Sequence, residues 1–164
     1  MDLYPWVVFL HASTVLLFFI AHGASMAVAF RLKREEDPAR VRALLDLSRF
    51  SLGVPTGVVV LTGLISGVLA GFLGGWWGEL WIWISLVLFV AVGLAMTPLV
   101  SFRLNPIRAA AGMPPVPIKK DQAAPPEDPA ELRRQLDAWN PVPVAVAGLA
   151  AFLVILYLMM VKPF

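Results

Sequence analysis

Residues 4–30 read YPWVVFLHASTVLLFFIAHGASMAVAF, an apolar run without a single Asp, Glu, Lys or Arg. A hydrocarbon layer of roughly 30 Å takes about 20 helical residues to cross, and this run exceeds that. Three further blocks of the same kind follow at 51–74, 79–102 and 141–161. The chain of 164 residues is 59% hydrophobic, with a mean hydropathy of +0.79, far above that of a water-soluble domain. The expected fold is therefore all-α: a polytopic membrane protein, a four-transmembrane-helix up-and-down bundle in one membrane domain over 1–164. The first block begins MDLYPW with no basic segment ahead of it, so it reads as a retained span rather than a signal peptide. The absence of cysteine removes disulfides, iron–sulfur clusters and thiolate metal sites from consideration.

The charges orient the spans. Of the thirteen basic residues, twelve fall in the two long loops at 31–50 and 103–140, and only Lys162 lies on the other side. Lysine and arginine mark the cytoplasmic face, which puts both loops inside and both termini outside a bacterial cytoplasmic membrane. The short turn GGWWGEL at 74–80 carries no basic residue, as that orientation requires. Trp6, Trp76, Trp77, Trp81 and Trp83 gather at the outer boundary and Trp139 at the inner one, matching the headgroup preference of indole.

Each inner loop holds a short amphipathic helix with a start signal. In EDPARVRALLDLSRF, Asp37 caps and Pro38 takes a first-turn position; Val41, Leu44 and Leu45 share a face. In EDPAELRRQLDAWNP, Asp128 caps, Pro129 follows and Glu131 completes a capping box; Leu132, Leu136 and Trp139 form the stripe. Both helices are expected against the inner membrane surface, with their arginines toward anionic lipid. The two stretches agree at seven of fifteen positions. Duplication of a helical hairpin and convergence on a common helix start both account for this. Between them, the proline-rich stretch 104–128 reads as an extended tether.

Packing follows from small residues, because apolar burial alone does not drive helices together in lipid. Gly63, Gly67 and Gly71 recur every four residues along one face of the second span, with Gly53 and Gly57 repeating the spacing nearer its inner end. Ala145, Ala147, Gly148, Ala150 and Ala151 offer a second such surface on the fourth. Pro98 is expected to bend the third span near its inner end.

His11 and His22 are the only histidines, and both lie in the first span. At 100° per residue an interval of eleven returns the helix to within roughly 20°, so the two rings share a face about 16 Å apart along the axis. Thr14 and Ser25 continue that stripe. Polar groups at such depth face the bundle interior or a partner. One reading makes the rings packing devices, hydrogen-bonded to Thr62, Ser66, Ser85 or a backbone carbonyl. The sharper reading makes His11 and His22 ligands of haem b, with Met26 or Met96, or a second copy of the chain, supplying the missing axial ligands. A quinone pocket or proton relay with aromatic walls at Phe18, Phe19 and Trp83 ranks lower, because no span carries an acid apart from Glu79 at its edge. No catalytic residue and no metal site are expected. Zinc hydrolysis lacks ligands, phosphate chemistry lacks a glycine-rich loop, and nucleic-acid binding lacks a basic groove.

At FLHAST and AHGAS the first span resembles an uncharacterised family of small four-helix bacterial integral membrane proteins. In style it is also similar to the copper-resistance D-like proteins and to the haem-binding four-span protoporphyrinogen oxidase of bacteria. The oxidase resemblance implies a ligand role for His11. That family also uses a lysine within a later span, which this chain lacks, so no enzymatic role carries over. The expected protein is non-enzymatic: a self-associating or accessory subunit in the lipid bilayer, as a homo-oligomer or beside another membrane subunit. A small b-type haem electron-transfer protein is the alternative.

Overall fold

The computed structural model describes residues 2–51, 54–116 and 123–164. About 82% of the chain is helical, with no strand among the described residues. Among the described residues six α-helices follow in order: α1 Tyr4–Arg34, α2 Pro38–Ser51, α3 Val54–Leu73, α4 Leu80–Ala110, α5 Pro129–Ala138 and α6 Val142–Val161, with a short 3-10 turn at Trp76–Gly78. Three of them, α1, α4 and α6, are long and apolar enough to cross a membrane. In α3 the apolar run Gly57–Leu73 is shorter.

Two of these helices outrun the spans expected of them. The first span was expected to end at 30 and the third at 102, yet α1 continues to Arg34 and α4 to Ala110. Charges at Arg31 and Arg103 end an apolar run without ending a helix. Arg31, Lys33 and Arg34 in fact suit the last turn of α1, where they oppose its negative dipole end. α1 and α4 have 31 residues each, α3 and α6 have 20. The longer pair therefore overhangs by roughly 16 Å at the basic end. The halves share their order of lengths, 31, 14 and 20 residues against 31, 10 and 20.

That overhang builds a cap. Leu32 of α1, Val41 and Leu45 of α2, Ile107 of α4, and Leu132 and Leu136 of α5 form one buried cluster, joined by Met113 and Trp139. Val41 and Leu45 hold the same places after EDPA as Leu132 and Leu136. Val41 and Leu45 of α2 and Leu132 and Leu136 of α5 thus pack into the chain's own core, while Leu47 of α2 stays 51% exposed. Arg108, only 2% exposed, stands within this layer. Its guanidinium donates to the carbonyls of Pro114 at 2.8 Å and Leu45 at 3.0 Å. Desolvating a guanidinium is tolerable only when its donors are used in this way.

Those contacts correct the tether reading of 104–128. Gly112 takes a left-handed turn at φ 71°, a conformation glycine adopts without cost. The chain then folds back along α4, where the Asn105 side chain donates to the Val116 carbonyl at 3.0 Å and accepts from its N–H at 2.9 Å. The segment rejoins the cap where the Asp128 N–H meets the Ala110 carbonyl at 2.9 Å. Residues 117–122, with Pro117, Lys119 and Lys120, lie outside the described residues. Asp128 caps α5 by accepting from the Glu131 N–H at 3.0 Å. The second arm of the capping box is not made. The Glu131 carboxylate is taken by Arg134 and Gln135, and the Asp128 N–H already serves Ala110.

Above the cap the helices associate as two close pairs, α1 along α3 and α4 along α6. Trp76, Trp77, Trp81 and Trp83 gather where these pairs meet the 3-10 turn, at the end remote from Trp139.

Candidate functional site

The histidine stripe of α1 meets two different neighbours. His11 faces α3, where its Nδ1 lies 2.8 Å from the Gly63 carbonyl. A carbonyl only accepts, so the ring proton is on Nδ1 and Nε2 is bare in the neutral imidazole. The ring lies directly on Gly67: a methyl group there would stand 2.8 Å from His11 Cε1. One turn away Thr14 is buried against Gly63, where a methyl would approach its Oγ1 to 3.2 Å. Thr14 Oγ1 is satisfied within its own helix by the carbonyls of Leu10 and His11, at 3.1 and 2.8 Å. Gly71 is covered from the other side, by Ile82 and Trp77.

His22 faces α6. A methyl at Gly148 would lie 3.1 Å from His22 Nε2 and 3.5 Å from the Met96 methyl, so the two side chains converge on that glycine. The ring is flanked by Phe18 and Phe152, each with its centroid 6.2 Å away. Its Nε2 is buried and has no hydrogen-bond partner among the described residues. Ser25 donates to the Ala21 carbonyl at 2.9 Å within α1. The glycines nearer the basic end behave differently: a methyl on Gly57 would touch nothing within 4 Å, so it makes no close contact, and Gly53 lies outside the described residues.

Where the two helix pairs face each other, a cavity of about 250 Å³ is left. His11, Gly67 and Phe18 line one side, Ser85 and Phe89 another, and Phe152 and Met159 a third. His22 is not among its lining residues. Ser85 is 1% exposed, and neither its Oγ nor the Trp77 Nε1 has a hydrogen-bond partner among the described residues. At the tryptophan end the lining residues hold one another. Trp76 Nε1 donates to the Tyr4 hydroxyl at 3.2 Å, and Lys162 Nζ stands 3.9 Å from the Trp76 ring centroid. Neither the cavity nor the burial of Arg108 emerges from reading the chain. The one available signal for Arg108 was its isolation within NPIRAAAG, a small-residue stretch with no second charge.

The cap carries the perturbed acids. Glu35 is 6% exposed. Burial pushes its carboxyl up, but the Asp37 N–H, the Arg31 guanidinium and the Glu36 N–H together hold it below the ordinary carboxylate range. Arg134 and then Gln135 donate to Glu131 and lower it to about 2. Among the described residues no three His, Cys, Asp or Glu side chains group as a metal site.

A family model described as "Predicted integral membrane protein (DUF2269)" matches residues 5–163, almost the whole chain. No curated protein and no solved structure matches. The chain belongs to that family of integral membrane proteins.

Proposed function

We propose that this member of the family is a four-span, non-enzymatic protein of the bacterial cytoplasmic membrane, serving as a self-associating or accessory subunit of a membrane complex. In this reading α3 also crosses the membrane, as the second span in chain order, its 20 residues covering roughly 30 Å. The basic cap with its amphipathic helices α2 and α5 faces the cytoplasm, and both termini face outward. The observation that carries the reading is the seating of both rings on glycines, His11 on Gly67 and His22 on Gly148. Each imidazole is engaged in joining α1 to a neighbour, and neither meets an acid or a nucleophile that would make it a catalytic base.

The haem alternative finds less support. His11 offers a bare Nε2, which suits an axial ligand, but the space beside it is about 250 Å³, below even the ~300–1,000 Å³ of pockets for drug-sized molecules. His22 does not line that space, and its Nε2 is buried. The deciding experiment is an absorption spectrum of protein purified in mild detergent after expression with ample haem, together with its mass by light scattering. A colourless preparation containing more than one chain, or a stable partner subunit, is expected. A Soret band that vanishes in His11→Ala or His22→Ala would overturn the reading in favour of a cytochrome.

A further inference from the structure

We infer that the cavity between the helix pairs seats one anionic phospholipid, with an acyl chain between α1/α3 and α4/α6 and its phosphate at Lys162 and Tyr4. The inference goes beyond the proposed function and needs from it only that the helices lie in a bilayer.

Shape comes first. On α1 the cavity lining runs from Tyr4 to Phe19 and on α3 from Val59 to Gly71, roughly 22 and 18 Å of helix. A volume of about 250 Å³ spread over that length is a slot along the helix axes rather than a round pocket. One leaflet's hydrocarbon is about 15 Å deep, half of a core of roughly 30 Å, so a chain descending from the tryptophan end stays within the slot. The slot exists because close backbone approach is largely confined to the α1/α3 and α4/α6 pairs. Walls such as Phe18, Leu86, Phe89 and Ile155 are apolar, and a hydrocarbon occupant gives them the dispersion contacts that a void forfeits. No donor in the depth of the slot asks for a polar ligand atom. His11 donates to the Gly63 carbonyl and Thr14 within its own helix, while the Ser85 hydroxyl and the Trp77 N–H are sealed off.

At the tryptophan end the lining changes character. Lys162, exposed at the end of α6, lines the cavity with its Nζ 3.9 Å from the Trp76 ring centroid. Among the described residues it forms no ion pair with a carboxylate. The Tyr4 hydroxyl accepts from Trp76 Nε1 at 3.2 Å, which leaves its own proton to donate. An ammonium and a phenol O–H thus stand against one indole at the end of an apolar slot, the donors that suit a phosphate whose chain runs inward. The same arrangement disfavours a choline headgroup. The indole faces of Trp76 and Trp81 that would hold a quaternary ammonium already share Lys162, and a second cation there is repelled.

The test is native mass spectrometry of the full chain in a non-ionic detergent, titrated with three dioleoyl probes: phosphatidylglycerol, phosphatidylcholine and phosphate-free diacylglycerol. One phosphatidylglycerol per chain is expected to bind saturably, about fivefold tighter than phosphatidylcholine, with diacylglycerol weakest. Lys162 has φ 48°, a backbone region that asparagine tolerates, so Lys162→Asn removes the charge and keeps the helix end. In that variant the preference for phosphatidylglycerol disappears, and in Lys162→Arg it survives. Val68→Phe, which adds bulk to the slot from α3, lowers retention of both phospholipids several-fold and raises the lipid-free melting temperature. That opposite movement of stability and affinity separates a lost seat from a folding defect. An unchanged preference in Lys162→Asn would put the lipid on the basic cap and overturn the inference. So would equal binding of the three probes, or wild-type retention in Val68→Phe. A haem spectrum would instead overturn the proposed function, so the two failures are distinguishable.

Discussion

The basic-end cap and the membrane-level seam share the long helices α1 and α4, yet they hold together differently. In the cap, Leu45 is 0% exposed and Leu32, Val41 and Ile107 are each 1% exposed. These side chains are withdrawn from water, and their burial supplies the driving force. Along the seam, large residues such as Phe9, Leu16, Ile20 and Leu94 are exposed to the surroundings. Lipid gives no reward for hiding them, so cohesion depends on backbone approach and a few polar contacts. The seam is accordingly a line of glycines with rings seated on them, while the cap is a conventional core with one arginine inside. The lesson is that the solvent, rather than the fold, chooses the adhesive.

The comparison breaks most visibly under matched substitutions. Leu45→Ala removes a fully buried side chain from the cap and is expected to destabilise it by about 2–4 kcal/mol. Gly67→Leu, which drives bulk into the His11 ring, is expected to cost about 1–3 kcal/mol by overpacking. The two should also differ in signature. Thermal melts in thin and thick bilayers should shift for Gly67→Leu and stay put for Leu45→Ala. Equal sensitivity to bilayer thickness would remove the distinction between cap and seam.

A smaller effect separates the two histidines. His11→Phe forfeits the hydrogen bond to the Gly63 carbonyl, and a loss of about 1 kcal/mol is expected. His22→Phe removes a buried nitrogen that has no partner and should be neutral or slightly stabilising. Melting temperatures of the two variants side by side check this. A larger loss for His22→Phe would show that its ring serves something other than packing.

The smallest expected effect is a pH dependence confined to the cap. The folded state holds Glu35 below its ordinary range, so the folded protein binds that proton less readily than the unfolded chain. Its stabilising contribution is complete above the ordinary carboxylate value of about 4.5 and fades as the pH falls through the depressed folded value. Glu131 follows the same sign, with its loss extending toward pH 2. Chemical denaturation at pH 6 and pH 3.5 should show a smaller difference in Glu35→Gln than in the wild type.

Much of this was legible from residue order alone. Charge-free runs located the apolar helices, but the eleven-residue interval did not foretell that His11 meets α3 while His22 meets α6. Helix ends were misjudged because Arg31 and Arg103 record where an apolar run stops, and a helix stops only where its hydrogen bonding does. The seat of each ring was harder to foresee. Gly67 follows from a four-residue spacing, but the pairing of His22 with Gly148 depends on which helix crosses α1 at that height, and no local pattern encodes that. The cavity is further still from the text of the chain, since a void is a mismatch between surfaces that meet only after folding. The strap held by Asn105 and Arg108 shows the same limit. Its prolines gave no sign of this, because only the folded cap brings the Asn105 and Arg108 side chains to the Val116 and Pro114 carbonyls.

The overhang of α1 and α4 has a mechanical consequence. α1 and α4 are joined at one tip by a dry core, and at the other the Trp76–Gly78 turn ties α3 to α4 beside the contacts of Tyr4, Trp76, Trp81 and Lys162. Held at both tips, the α1/α3 and α4/α6 pairs have least restraint midway between them, so whatever enters between the pairs comes from the side.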